Sequence, residues 1–324
     1  MEINENTKSL SVRGANLLYL VVLLLLVVIG RTVQEWDFNY GILITEICLV
    51  ALPVLAFAAA GRKKPKEFFR LNAMKPVDVL LVILIFLCGY MVAAFVNLVG
   101  DLILSFFGQL IVPDIPIAGN SREYVVLLGV IALSAGICEE LLFRGYIMKA
   151  YEGIGMWGSI ILTALLFSMM HLNIQNIFAT LYLGIMLGFV VYSTNSIFAG
   201  MLGHFLNNAV SVTIGYLVAK SPLYSSMASE AVKAGMTTPA ILASLIAVGI
   251  FALAFGTVVV LCMRELWARS AKRERAVVFP EVRLGSILKN MKISWPLYAG
   301  GVIFLFAMVL EFVYIRTGAP LKLF

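Results

Sequence analysis

The chain of 324 residues contains two histidines, His171 and His204. Both stand in segments otherwise apolar enough to lie within a bilayer. A third such segment, "GICEELLFRGYIM", carries the adjacent acids Glu139 and Glu140 and the cation Arg144. A charge at the centre of a spanning helix costs roughly 2.5 to 3.5 kcal/mol on insertion scales, so three of them need partners or a use. Glu140 and Arg144 are four residues apart on one helical face, with the acid first, the favourable order for an ion pair. Glu139 is rotated by about 100° from Glu140 and has no partner on its own helix. Asn208 lies one turn beyond His204, so those two side chains share a face.

Hydrolysis of a peptide bond in such a place needs a group that activates water, a proton carrier for the leaving amine, and donors for the tetrahedral oxyanion. Glu139 with His171 suits the first two tasks, and His204 with Asn208 suits the third. The Glu140–Arg144 pair is expected to be structural. The competing readings are plainer. Lone polar groups glue helices together, and Asn207 beside Asn208 reads as packing. Cys138 beside Glu139 reads as a small packing residue rather than a thiol nucleophile. Ser168 and His171 share one helix and lack a separate base. Asp78 and Asp101 stand near opposite ends of one span and so do not form an aspartyl pair. Glu46 and Glu311 lie near the outer ends of their spans and are expected to reach the interface.

The elements that must position these groups follow from composition. The chain is 61% hydrophobic and 13% charged, with a mean hydropathy of +0.98, which predicts an all-α polytopic transmembrane helix bundle with about 8–9 spans. The spans are expected near 15–31, 41–60, 77–104, 124–149, 156–172, 177–192, 197–219, 239–263 and 294–315. The first run, behind Lys8 and Arg13, lacks a cleavage site and reads as a retained anchor. Cys48, Cys88, Cys138 and Cys262 all fall in apolar runs without paired spacing, which argues against disulfides or a cysteine metal site. Of the 24 Lys and Arg, 17 fall on the side of the N-terminus and six on the other, with Arg144 between. That imbalance predicts a cytoplasmic N-terminus. The net charge of +6 therefore reads as topology, and no nucleic-acid partner is expected. Measured from the inner helix ends, Glu139 lies about 15 Å deep, His204 about 10 Å, Asn208 about 17 Å and His171 about 22 Å.

With EExxxR at Glu139, Glu140 and Arg144, FxxxH at Phe167 and His171, and HxxxN at His204 and Asn208, the chain resembles the CPBP intramembrane proteases. This family, also called ABI, covers CAAX proteases and bacteriocin-processing enzymes and includes the type II CAAX prenyl endopeptidases. The resemblance runs from about Ile131 to Val210. It places a catalytic core at 124–219, and hydropathy and charge set N-terminal transmembrane helices over 1–123 and C-terminal helices over 220–324 with a basic cytoplasmic connector at 264–292 on either side of it. It also implies a cavity open to the cytoplasmic side, in which Glu139 and His171 activate water, His204 and Asn208 stabilise the oxyanion, and Glu140 with Arg144 braces the site. The expected partners are a peptide or membrane-protein substrate and the lipid bilayer, in the plasma membrane if the host is bacterial. Glu, His, His and Asn can ligate zinc, but HExxH is absent, so no metal is expected and zinc is the alternative. Two other functions use the same residues: a non-proteolytic scaffold or bacteriocin self-immunity protein, and a proton-coupled transporter with Glu139, His171 and His204 as its relay.

Overall fold

Helix starts are set by short polar caps between apolar runs. Asp37 accepts the backbone N–H of Tyr40 at 2.9 Å, which ends one helix and begins the next within a single residue. Asn120 accepts the N–H groups of Arg122 and Glu123, both at 3.0 Å. Proline in the first two helical positions opens three further helices, at Pro76, Pro239 and Pro296.

The computed structural model describes residues 11–61, 64–111, 116–221, 237–272 and 294–318. Among them are nine principal helices: α1 Val12–Trp36, α2 Phe38–Ala60, α3 Pro76–Ser105, α4 Ser121–Ala150, α5 Met156–Met170, α6 Ile177–Thr194, α7 Ile197–Lys220, α8 Thr238–Ala271 and α9 Trp295–Thr317. Eight are long and apolar enough to cross a membrane, and the protein is an all-α, multi-pass membrane bundle. The exception is α5. Its 15 residues extend about 22 Å, short of a hydrocarbon core of about 30 Å; the expected span at 156–172 is the shortest of the nine helices and His171 sits in the turn that ends it. The span expected at 239–263 continues as helix to Ala271, which absorbs the start of the expected connector. Residues 273–292 of that connector lie outside the described residues.

Alternating helix directions give the bundle two ends. At the first, Asp37 turns α1 into α2, Gln109 N–H donates to Ile315 O at 2.9 Å, and Ile111 exchanges hydrogen bonds with Gln175. At the second, Asn72 donates to Asn195 O at 2.7 Å, Ile197 N–H donates to Arg70 O at 3.1 Å, and Arg269 pairs with Asp78 at 2.9 Å. Here Arg70 is buried against Tyr192, 4.8 Å from the ring centroid, and pairs with Glu152. Burial pulls its guanidinium below the ordinary arginine value. The expected basic side is this second end, and the loop after α2 is stitched there to the α6–α7 turn.

Candidate active site

The α4 helix brings the two acids to opposite fates. Glu140 is wholly buried and accepts a hydrogen bond from Arg144 Nη1 at 2.7 Å, as the i,i+4 spacing predicts. Arg144 is equally buried, donates from Nη2 to the Gly184 carbonyl at 3.0 Å, and lies 4.7 Å over the Phe167 ring. One guanidinium thus ties α4 to α6 and to α5. Residues 141–147, which include Arg144, form a π-helical stretch, a wider turn that recurs at functional sites. A side chain at Gly200 on α7 would meet Glu140 Oε2 at 2.4 Å, so glycine there lets α7 close over the pair.

Glu139, by contrast, is only half-buried and lines a cavity of about 680 Å³ together with His171. The gap expected from their depths is reduced by side-chain direction. Each Cβ tilts towards its own helix N-terminus, and since α4 and α5 run in opposite directions, Glu139 and His171 lean towards one another. His171 Nδ1 is 2.8 Å from the Phe167 carbonyl. A carbonyl only accepts, so Nδ1 carries the proton and Nε2 holds the free lone pair.

Phe167 is the centre of the arrangement. Its ring packs edge-on against His171 at 4.8 Å and His204 at 5.7 Å, with Arg144 over its face. His204 is buried and hydrogen-bonds through Nδ1 to Glu140 Oε1 at 3.1 Å. Asn208 donates to the Ile131 carbonyl at 3.2 Å and accepts from Asn207, also at 3.2 Å, so Asn207 orients its neighbour rather than merely packing. Glu139 and His171 are in the cavity wall, His204 and Asn208 are not among its lining residues, and Glu140 joins His204 to Arg144.

Two other acids, Glu46 and Glu311, depart from expectation, and Asp101 stands near the end of its span as expected. Glu46 does not reach the interface. It is 8% exposed, within the π-helical stretch Thr45–Ala51 of α2, and lines the same cavity as Glu139. Glu311 on α9 turns inward and accepts the backbone N–H of Ile174, which fixes the loop after His171. Asp101, near the end of α3, accepts from Asn97 at 3.1 Å. Ser168 is committed to the Ile177 carbonyl at 2.8 Å and to Thr180, which removes it as a nucleophile.

The cavity runs from Val50, Glu139 and Met170 in the interior to Arg31, Gln34 and Glu35 at the surface. A neighbouring cavity of about 450 Å³ shares Phe38 and Pro116 with it. The mouth is therefore at the first end of the bundle, opposite the basic loops. A cytoplasmic N-terminus and a cytoplasmic mouth cannot both hold.

Among the described residues, no three His, Cys, Asp or Glu side chains come close enough to hold a metal ion. Glu139, His171 and His204 do not converge, and the donor set as placed does not fit zinc.

Residues 121–210 match a family model described as type II CAAX prenyl endopeptidase Rce1-like. Over that segment the chain is similar to the Rce1-like family. The Rce1-like segment takes in α4 to the middle of α7, and with them Glu139, Glu140, Arg144, Phe167, His171, His204 and Asn208. It leaves out α1 and α2, which supply most of the cavity wall. Comparison with curated proteins and with solved structures finds no match.

Proposed function

We propose that the protein is an intramembrane endopeptidase in which water is activated between Glu139 and His171. The observation that carries this reading is that one cavity is walled by a carboxylate from α4 and an imidazole from α5 whose Nε2 is left free. Glu139 takes the proton as water attacks the peptide carbonyl. His171, held by the Phe167 carbonyl, orients that water. His204 and Asn208, which are not among the residues lining the cavity, are assigned as oxyanion donors on the strength of the HxxxN motif: His204 through the ring nitrogen not bound to Glu140, and Asn208 with the N–H that Ile131 does not use. The Rce1-like match supports peptidase chemistry. The test compares membrane-peptide profiles of cells carrying the parent chain and cells carrying Glu139→Ala. Peptides cleaved only by the parent are the expected result, and identical profiles would refute the reading.

The N-terminus is proposed to be cytoplasmic, because in the sequence the segments on the side of the N-terminus carry 17 basic residues and the others six. The cavity mouth then faces away from the cytoplasm, contrary to what the resemblance implies. Substrate segments enter from the outer side or from the bilayer. A membrane-impermeant thiol reagent on intact cells should label Trp36→Cys, at the exposed α1–α2 turn, and should spare Lys66→Cys until the cells are opened. The parent, whose four cysteines all lie in helices, serves as the blank. The reverse pattern overturns the orientation.

Metal is not part of the proposed step. Cleavage by purified protein should persist after exhaustive chelation. Stoichiometric zinc whose removal abolishes cleavage and whose return restores it would instead move His204 from the oxyanion side to a metal.

A further inference from the structure

Glu46 lies 75 residues before the Rce1-like segment and belongs to none of the motifs. Its carboxyl group is nonetheless one of the most consequential in the cavity wall. The residue is 8% exposed and its Oε2 is buried without a hydrogen-bond partner. Glu139 Oε2 is in the same condition. A buried, unpaired carboxylate is expensive, and the two stand on different helices, α2 and α4, facing one cavity with Glu46 inside the electrostatic reach of Glu139. The other charged and titratable groups around Glu46 are Arg31 and Glu35 at the mouth, His171 across the cavity and Cys138 beside Glu139. Arg31 is engaged with Glu35 at 2.6 Å, and Arg144 is engaged with Glu140. Among the described residues no cation is left to neutralise both acids, and no cluster fits a metal. What relieves such a pair is a proton held by one of them.

We propose that Glu46 is the second carboxyl group of the site, sharing one proton with Glu139 across the cavity and acting as the acid that protonates the leaving amine. This rests on the hydrolase reading above. In the first step a water lone pair forms the C–O bond, the carbonyl π pair moves to oxygen, and Glu139 takes the proton released by water. In the second step the oxyanion pair re-forms the carbonyl, the C–N bond breaks, and the electron pair left on nitrogen takes the proton from Glu46. Glu139 is then protonated and Glu46 ionised, and transfer of one proton through cavity water restores the starting state. Atoms and charge balance with one water consumed. The wide π-helical turn at Thr45–Ala51, pinned by Thr45 Oγ1 on the Gly41 carbonyl at 2.7 Å, holds Glu46 in the cavity wall.

The test uses the full chain, purified into liposomes, with two probes: a fluorogenic prenylated CaaX peptide and an unprenylated apolar peptide. Glu46→Gln keeps the shape and removes the transferable proton, so kcat should fall by about 10²- to 10⁴-fold with KM little changed. The basic limb of the pH–rate profile, which reports the acid, should vanish. Infrared difference spectra supply a readout independent of turnover. A protonated-carboxyl band present in the parent should be lost in Glu46→Gln and return, shifted, in Glu46→Asp, with partial rescue of kcat. That second variant decides the matter if Glu46→Gln folds poorly. A Glu46→Gln protein with parental kcat, or with the parental carboxyl band, overturns the role of Glu46 alone. A Glu139→Gln protein as active as the parent overturns the hydrolase reading beneath it.

Discussion

Glu139→Gln is expected to lower kcat by at least about 10²-fold while leaving the yield of folded protein and its thermal midpoint unchanged. The separation of the two effects follows from position. Glu139 is half-buried in the cavity wall and its Oε2 bonds to no protein group, so the amide can replace it without breaking a contact. What disappears is the lone pair that accepts the proton from water, and the free lone pair of His171 Nε2 stands at the end of another helix, where it is assigned to orienting that water. The change should appear in kcat rather than KM, since water activation is needed in the transition state and not for binding. The measurement is turnover of peptide by the purified variant beside the parent. Equal rates would show that the base is elsewhere, and the free acid of the pair would then lose its assigned role.

The parts of this site that sequence made legible are those whose contacts are local. Glu140 and Arg144 are one helical turn apart, and i,i+4 spacing alone predicts the 2.7 Å bond that forms. That pairing identified Glu139 as the free acid, and the structure places it in the cavity wall. The positions of Phe167 and Glu46 were not legible for the opposite reason. Phe167 acts by standing between Arg144, His171 and His204, which belong to three different helices, and nothing in FxxxH states what the ring touches. Glu46 is a single acid a few residues from the start of its span, where snorkelling to the interface is the ordinary outcome. Only the packing of α2 against α4 turns it inward. The helices themselves were readable from hydropathy, with Met156–Met170 shorter than the other eight. The side on which the cavity opens depends on how loops pair at each end, as with Asn72 and Asn195, and hydropathy carries no such information.

Arg144→Ala should act on folding more than on chemistry. The guanidinium holds Glu140 at 2.7 Å and the Gly184 carbonyl at 3.0 Å, and it stacks on Phe167. Its loss leaves a fully buried carboxylate with His204 as its remaining polar partner. Removing one partner of a buried pair costs on the order of 3 to 5 kcal/mol, a large part of a total stability of about 5 to 15 kcal/mol. The fraction of monodisperse protein in detergent should therefore drop, with a lower thermal midpoint. Arg144→Lys should rescue little, because an ammonium cannot span Glu140 and Gly184 while stacking on a ring. Combining Arg144→Ala with Glu140→Ala removes the stranded charge and should recover part of the folded yield. Activity should not return with it, since Glu140 is also the acceptor that holds His204 Nδ1, and an unanchored imidazole cannot keep its place beside Phe167. Folded yields equal for the parent, the single and the double variant would refute the pairing. A double variant that regained both yield and turnover would show instead that His204 needs no anchor, and that the pair serves folding alone.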